Sequence, residues 1–302
     1  MMGHGLSQLC FGCEPLGGTD WGAVDIAEVG RAIDRALDLG VDFFDTAAVY
    51  GLGLSEERLS QVLGHRRHEV VIATKGGVSW SKADRGARAS VTYDSSPEKI
   101  RAAVHCSLQR LRLDVLPIYY IHWPDPKTPV EATFSELEKL RSMGKIRSLG
   151  CSNYSADQLD RACQVANVKY VQLPINVLEG GLGPDMLAVC ARHHLGIVAY
   201  NVLAHGLLSG KYNESSRFAP DDRRSRLPLF QGQRYRDALA IAEQIRVEAN
   251  FEQLTAAQYA IQWVLRQPLV ASAIVGIKGV KQLEENAAGV GKLPRGYNAP
   301  AG

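Results

Sequence analysis

The sequence of 302 residues lacks the features of several classes of protein. It contains no run of eighteen apolar residues, and its opening, MMGHGLSQLC, lacks the basic and apolar regions of a secretory signal. We therefore expect a cytoplasmic protein without a membrane segment. The net charge is only +2, so no basic surface for nucleic acid or an anionic membrane is indicated. The expected partners are small molecules.

Cysteine is scarce, with six residues scattered along the chain, and only Cys10 and Cys13 have C-x-x-C spacing. No second cysteine pair or histidine pair completes a zinc site. We favour reduced, partly buried thiols, with redox or metal chemistry as the alternative. No metal cofactor is expected.

Short runs of β-branched and aromatic residues alternate with amphipathic segments that are long enough for helices. This alternation predicts a parallel sheet, and eight strands favour a closed barrel over an open sheet. We predict one (β/α)8 TIM barrel domain over residues 1–302, with a Gly/Pro-rich tail from about residue 289 expected to be disordered. The predicted strands are Leu9–Gly12, Asp42–Asp45, Val70–Lys75, Val115–His122, Ile146–Ser152, Tyr170–Leu173, Ile197–Tyr200 and Ala271–Val275.

Four ionisable residues lie at or just after predicted strand ends, where barrels of this kind carry their chemistry. Asp45, Lys75 and His122 close strands two, three and four, and Tyr50 follows Asp45 in its loop. One such residue alone is more often a cap or half of a salt bridge, but four at one mouth indicate an active site. One reaction that such a set of residues suits is the reduction of a carbonyl group by hydride, which needs a proton donor for the carbonyl oxygen. Tyr50 suits this role if Lys75 lowers its pKa and Asp45 holds Lys75, while His122 positions the carbonyl.

Seven segments, the first three of which contain these four residues, resemble, in order, signature segments of the aldo-keto reductase superfamily, bacterial-type branch: DTAAVYG, ATKGG, IHWPD, GCSNYS, VQLPIN, AYNVLAHGLLSGKY and VGIKGVKQLEEN. The resemblance covers nearly the whole chain. It implies an NADPH-dependent oxidoreductase that reduces an aldehyde or ketone, such as a sugar or another polar carbonyl, to an alcohol by hydride transfer. NADH is the weaker alternative. The implied roles are Tyr50 as proton donor, Lys75 and Asp45 as its activators, and His122 as the carbonyl-orienting residue.

The resemblance also implies the residues that hold the cofactor. Amides at the ends of strands five and six would hold the carboxamide, and Tyr200 would stack on the nicotinamide ring. Small residues around Lys211 would admit the pyrophosphate, and Lys278 would neutralise a 2′-phosphate. No G-x-G-x-x-G follows the first strand, so a Rossmann site is not expected. The implied set is Ser152, Asn153, Gln172, Tyr200, Asn201, Leu203, Gly206, Leu208, Gly210, Lys211, Gly276, Lys278, Gln282, Glu285 and Asn286.

Substrate contacts are expected from Trp21 and Trp80, which lie outside the predicted strands. Two long segments, Gly76–Tyr93 and Arg217–Gln233, are predicted to be loops that shape specificity. Their arginines suit polar or anionic substrates, although we favour solvated surface charge. Two alternatives to the reductase remain: a nicotinamide-binding regulatory subunit of the same fold, and a metal-dependent barrel lyase or isomerase, which would need more carboxylates or histidines at strand ends.

Overall fold

The structure is a computed structural model that describes residues 5–80 and 89–291. Its strands are β1 (Leu9–Gly12), β2 (Phe43–Asp45), β3 (Val71–Gly76), β4 (Val78–Trp80), β5 (Val91–Tyr93), β6 (Leu116–Ile121), β7 (Ile146–Ser152), β8 (Val168–Pro174), β9 (Gly196–Tyr200) and β10 (Val270–Gly276). Its helices are α1 (Ile26–Asp38), α2 (Leu54–Leu63), α3 (Pro97–Leu111), α4 (Val130–Ser142), α5 (Ala156–Val165), α6 (Pro184–Arg192), α7 (Gly232–Phe251), α8 (Ala256–Leu265) and α9 (Val280–Gly291).

The strands other than β4 and β5 close into a parallel barrel in the order β1, β2, β3, β6, β7, β8, β9, β10. In register, Phe44 of β2 lies opposite Phe11 of β1 and Ile72 of β3. Helices connect successive strands, as parallel pairing requires. The predicted (β/α)8 TIM barrel is confirmed, and each predicted barrel strand is found with ends within two residues of the expected ones.

The period-two alternation of a strand decides which side chains enter the barrel. Phe43 and Tyr120 belong to the cluster that fills the barrel interior, whereas their neighbours Phe44 and Tyr119 pack outward against the helices. Asp45 and His122 each follow an interior residue by two positions, so they point inward one layer above it, at the open end. Lys75, Gln172 and Tyr200 follow the interior residues Ala73, Tyr170 and Val198 in the same way.

The helix ends carry the expected capping chemistry. Asp25 Oδ1 accepts hydrogen bonds from the backbone N–H groups of Ala27 and Glu28 at 2.9 and 3.1 Å, which begins α1. Reciprocal capping boxes begin α5 at Ser155 and α8 at Thr255. Across the described residues, none of the helices combines the length and apolar content that crossing a bilayer requires.

Two segments that were predicted to be loops contain more structure than expected. Strands β4 and β5 form an antiparallel hairpin with Trp80 opposite Val91, so Trp80 lies in a strand and not in a loop. Five of the six residues in these two strands are β-branched or aromatic, which suits paired strands. In the second segment, Arg223–Ser225 and Pro228–Phe230 form short helical turns before α7 begins at Gly232. At the other end, α9 reaches Gly291 and includes the first residues of the expected tail, and residues 292–302 lie outside the described ones.

A buried carboxylate joins α2 to the barrel wall. Glu56 is fully buried, and it accepts hydrogen bonds from Thr74 Oγ1 at 2.6 Å and Arg110 Nε at 2.5 Å. Arg110 lies on α3, so this ion pair links α2, α3 and β3. A buried charge is tolerated only where partners of this kind compensate it.

We therefore expect Arg110→Met to lower the free energy of unfolding by about 3–5 kcal/mol, because it leaves the Glu56 carboxylate buried without its counter-charge. Urea denaturation followed by circular dichroism measures the change. The matched control is Arg246→Met, which removes an exposed ion pair to Glu243 on α7 and should change stability by less than about 1 kcal/mol. Equal effects of the two substitutions would contradict this account.

Candidate active site

Asp45 and Lys75 form a buried ion pair at the ends of β2 and β3. Lys75 Nζ lies 2.5 Å from Asp45 Oδ1 and donates to the Thr46 carbonyl at 2.8 Å. The second carboxylate oxygen, Oδ2, accepts a 2.8 Å hydrogen bond from Gln172 Nε2. Because both oxygens and the ammonium are held by partners, the pair has a fixed geometry. The Gln172 amide nitrogen, which was expected to face the cofactor, is engaged by Asp45.

Tyr50 is positioned by a close contact between two backbone segments. Gly51 has a φ of 59°, a conformation that favours glycine. A Cβ added at Gly17 would lie 2.7 Å from Gly51 N and 2.9 Å from Tyr50 C, so only a glycine fits there. The Tyr50 ring centroid is 5.2 Å from Lys75 Nζ, and the ring meets His122 edge-to-face at 5.8 Å between centroids. The other three predicted catalytic residues therefore lie close to Tyr50. His122 contacts the edge of the ring, and Lys75, which is paired with Asp45, lies beneath it.

The environment shifts the pKa values of the Tyr50 and His122 side chains. Burial, followed by the Glu14 and Asp45 carboxylates, raises the pKa of Tyr50 well above its ordinary value. This direction differs from the expected lowering by Lys75, whose charge is already compensated by Asp45. Burial and the Lys75 ammonium hold the pKa of His122 well below its usual range. At neutral pH, Tyr50 is therefore a protonated phenol and His122 a neutral imidazole.

Hydrogen bonds connect the C-terminal ends of the four strands β6, β7, β8 and β9. Asn153 has a φ of 63° and donates from Nδ2 to the His122 carbonyl at 2.9 Å. Its Oδ1 accepts from the Tyr200 hydroxyl at 2.6 Å. Ser152 Oγ donates to the Gln172 carbonyl at 2.9 Å. The predicted carboxamide contacts thus belong to one continuous polar rim.

A cavity of about 750 Å³ opens at this end of the barrel. Its lining includes Trp21 and most of the predicted site residues, namely Asp45, Tyr50, His122, Ser152, Asn153, Gln172, Tyr200, Asn201, Leu203, Gly206, Lys211, Gly276, Lys278 and Gln282. The other predicted residues are not in the described lining: Lys75, which is buried behind Asp45, and Leu208, Gly210, Glu285, Asn286 and Trp80. The cavity is lined instead by Val91, which pairs with Trp80 in the hairpin, and by Trp123.

Positive side chains gather at the end of the cavity nearest β10. Lys211, Arg224 and Lys278 line it, and Lys278 Nζ donates to the Trp21 carbonyl. Burial and the neighbouring Arg224 lower the pKa of both lysines, and Lys211 also lowers that of Lys278. The nearby carboxylates are Asp222, which accepts from Arg224 Nε at 2.8 Å, and Glu285, which raises the pKa of Lys211. Cations held this close to one another favour an anionic ligand.

Sequence reasoning missed charged residues that join two loops across the cavity. Arg223 Nη1 donates to Glu14 Oε1 at 2.9 Å, and Arg226 Nη2 donates to Asp20 Oδ1 at 2.7 Å. Arg224 is only 9% exposed and is not the solvated charge that we favoured, whereas Arg217 and Arg226 are exposed as that prediction has them. The signal that could have found them is charge complementarity between the acidic first loop and the arginine-rich segment.

The groups present fit a nicotinamide dinucleotide. The cationic end of the cavity suits phosphates, and Gly206, with a φ of 91°, lies in its wall without a side chain. Two buried polar atoms, His122 Nδ1 and Asn286 Nδ2, have no hydrogen-bond partner among the described residues. Such groups are usually satisfied in proteins. His122 lines the cavity, where a ligand can meet it, whereas Asn286 is not in the lining.

The Cys10 and Cys13 side chains are free thiols buried in the barrel. Burial raises the pKa of both, which disfavours the thiolate that redox or metal chemistry requires. Among the described residues, no group of three or more His, Cys, Asp or Glu side chains is arranged to hold a metal ion.

Comparison with known proteins shows the family of this chain. The sequence model of the Aldo/keto reductase family matches residues 8–293. Aldo-keto reductase YhdN of Bacillus subtilis is 32% identical over 92% of this chain and 83% of its own length. The NADH-specific methylglyoxal reductase of Escherichia coli is 30% identical over 94% of this chain and 89% of its own. The solved glycerol dehydrogenase AKR11B4 from Gluconobacter oxydans has a TM-score of 0.86 and 36% identity, over 98% of this chain and 88% of that one.

The fold and the site define a nicotinamide-dependent carbonyl oxidoreductase. The chain belongs to the aldo/keto reductase family. The relatives are named as reductases and a dehydrogenase, which favours the enzyme over the regulatory-subunit alternative.

The contact between Gly17 and Gly51 generates a prediction about Tyr50. Gly17→Ala forces a methyl group against backbone atoms of Tyr50 and Gly51, so we expect a loss of about 1–3 kcal/mol of stability together with reduced turnover. Thermal unfolding and initial rates of carbonyl reduction measure both effects. Gly183→Ala is the matched control, because a Cβ there meets nothing within 4 Å. Normal turnover in Gly17→Ala would show that this contact does not set the position of Tyr50.

Proposed function

We propose that the protein reduces an aldehyde or ketone to the corresponding alcohol, with Tyr50 as proton donor and NADPH as the preferred reductant. The observation that supports this most directly is the placement of Tyr50 and His122 in one cavity wall, with the buried Lys75–Asp45 pair behind them. A reduced nicotinamide supplies the hydride when it is bound. Ser152, Asn153, Gln172 and Tyr200 would hold its ring.

Tyr50 delivers the proton to the carbonyl oxygen as negative charge develops there. Its raised pKa keeps the phenolic proton in place through the neutral range. The transfer is favourable because an aliphatic alkoxide binds a proton more tightly than a phenolate does. The Lys75 ammonium, 5.2 Å from the ring centroid, stabilises the phenolate that remains.

His122 orients the carbonyl without exchanging its own proton. Its lowered pKa leaves the imidazole neutral, and Nδ1 has no hydrogen-bond partner among the described residues. A neutral ring N–H donates to the carbonyl oxygen and strengthens this bond as charge builds up. It also avoids placing a second cation beside Lys75.

Tyr50→Phe should lower the turnover number for carbonyl reduction by a factor on the order of 10²–10⁴, because the proton donor is lost. Stability and cofactor affinity should stay near the unmodified values. Tyr259→Phe on α8, where the hydroxyl bonds Glu248 at 2.7 Å on the outer surface, is the control and should turn over normally. Near-normal turnover by Tyr50→Phe would refute the assignment.

The preference for NADPH rests on the cationic end of the cavity. Lys278 lies there beside Lys211 and Arg224, and a 2′-phosphate would relieve their mutual repulsion. Gln282, which the resemblance places at the cofactor, accepts a hydrogen bond from the Lys278 backbone N–H at 3.0 Å, and its neutral amide adds no positive charge. We therefore propose a moderate preference.

We expect NADPH to bind at least tenfold more tightly than NADH, and Lys278→Ala to weaken NADPH binding by about tenfold or more, since a charge-assisted hydrogen bond contributes about 1.5–3 kcal/mol. NADH binding should change much less, which controls for any disturbance of the Trp21 contact. Lys281→Ala, an exposed lysine on α9, is the matched control. Fluorescence titration gives the dissociation constants. Equal values for the two cofactors in the unmodified protein would overturn the preference.

A further inference from the structure

A hydrogen bond crosses the barrel at the bottom of the cavity. Gln172 on β8 donates from Nε2 to Asp45 Oδ2 on β2 at 2.8 Å, and β8 is the fourth strand from β2 in either direction around the barrel. The two strands are therefore opposite each other. Gln172 is only 3% exposed, so this bond is shielded from solvent and joins the two sides of the catalytic layer.

The orientation of the Gln172 amide follows from its partner. The Asp45 carboxylate, which is paired with Lys75, has no proton to donate, so the NH2 group of the amide has to face it. The amide oxygen is then the atom left to the cavity, which Gln172 lines. The backbone is held as well, because the Gln172 carbonyl accepts from Ser152 Oγ at 2.9 Å and from the Asn153 N–H at 3.3 Å. Gln172 can thus serve Asp45 with its nitrogen and a bound nicotinamide with its oxygen.

This hydrogen bond fixes the Asp45 carboxylate, and through it the Lys75 ammonium. Oδ1 holds Lys75 Nζ at 2.5 Å, and Nζ lies 5.2 Å from the centroid of the Tyr50 ring. Without a donor at Oδ2, the carboxylate would be free to turn toward other donors and to move the ammonium with it. A displacement of about 1 Å in a catalytic group can lower a rate on the order of 10²-fold.

We propose that Gln172 is a positioning residue for the proton donor: by donating to Asp45 across the barrel, it holds the Lys75 ammonium beneath Tyr50. This role is separate from any contact between its amide oxygen and the carboxamide of the cofactor. The inference rests on the proposed carbonyl reduction.

Gln172→Met tests the role by removing the donor while keeping the length of the side chain. Turnover numbers are measured at saturating NADPH with methylglyoxal or benzaldehyde, whichever the unmodified chain reduces faster, and fluorescence titration gives the dissociation constant of NADPH. We expect the turnover number to fall by about tenfold or more, since a hydrogen bond to a charged group is lost. A residue that served only the carboxamide would weaken NADPH binding and leave the turnover number at saturation unchanged.

Gln172→Glu separates positioning from packing through its dependence on pH. The introduced carboxyl lies beside Asp45, and two carboxyl groups at hydrogen-bond distance share one proton. While protonated, it donates to Asp45 as the amide does, and once ionised it repels Asp45. Relative to the unmodified chain, the turnover number should therefore fall at least tenfold as the pH rises from about 5 to about 9. A role at the carboxamide alone predicts no such fall, because a carboxylate also accepts from an N–H.

The other ionisable groups around this position do not produce that fall. Tyr50 stays protonated and His122 stays neutral through the neutral range. Burial raises the pKa values of Cys10 and Cys13, and it raises that of Tyr200 to about 12. The remaining charged groups at this end of the cavity are common to both proteins, so their titration cancels in the ratio: Glu14, Asp45, Lys75, Glu179 and Arg223.

Gln158→Glu in the capping box of α5 is the matched control. There the side-chain oxygen accepts from the Ser155 N–H at 3.0 Å, which a carboxylate does equally well. Urea unfolding of the cofactor-free proteins gives a readout without turnover. Gln172→Glu should lose stability as the pH rises, because the shared proton is bound more tightly in the folded chain than in the unfolded one, and Gln158→Glu should not.

Equal pH profiles of turnover for Gln172→Glu and Gln158→Glu, or a normal turnover number in Gln172→Met, would overturn the positioning role while leaving carbonyl reduction intact. If Gln172→Met does not fold, Gln172→Glu decides, because at low pH it keeps a donor to Asp45. Failure of the unmodified chain to reduce either aldehyde would instead overturn the proposed function, and this inference with it.

Discussion

The buried Lys75–Asp45 pair is the interaction on which the rest of the site depends. Removing two charges from water is expensive, and the pair is tolerated because Gln172 Nε2 and the Thr46 carbonyl satisfy its remaining oxygen and ammonium protons. Such a pair contributes little to stability compared with apolar residues of the same size. Its value lies in a fixed positive charge beneath the Tyr50 ring, at a place that water and mobile side chains do not reach.

The barrel divides its cavity into two electrostatic regions. Around Tyr50, the Glu14 and Asp45 carboxylates pair with Arg223 and Lys75, whereas near β10 the positive charges of Lys211, Arg224 and Lys278 exceed the carboxylates of Asp222 and Glu285. The surplus of positive charge near β10 suits the phosphates of a dinucleotide. The two loops that supply Glu14 and Arg223 join these regions through an ion pair across the cavity.

The sequence predicts the barrel, and it predicts the strand-end positions of the candidate catalytic residues, because both follow from local rules. Strand periodicity alone places Asp45, Lys75 and His122 on the inward face of neighbouring strands. Most of what it does not predict depends on contacts between distant parts of the chain. The ion pair of Glu14 with Arg223 and the use of the Gln172 amide by Asp45 join residues far apart in the chain. The Tyr50 pKa differs from expectation for the same reason, since burial and Glu14 outweigh the compensated charge of Lys75. The hairpin that contains Trp80 is local, but its strands are only three residues long each, too short for a clear periodicity.

A double-mutant cycle between Tyr50 and Lys75 tests the central claim, that the buried ion pair acts through the proton donor. The turnover numbers of Tyr50→Phe, Lys75→Met and the double variant are compared, with urea unfolding recorded for each. If the two residues work as a unit, the double variant should be no slower than the slower single variant, because the second substitution removes a function already lost. Losses that multiply would show that Lys75 serves catalysis by another route, and would contradict the account.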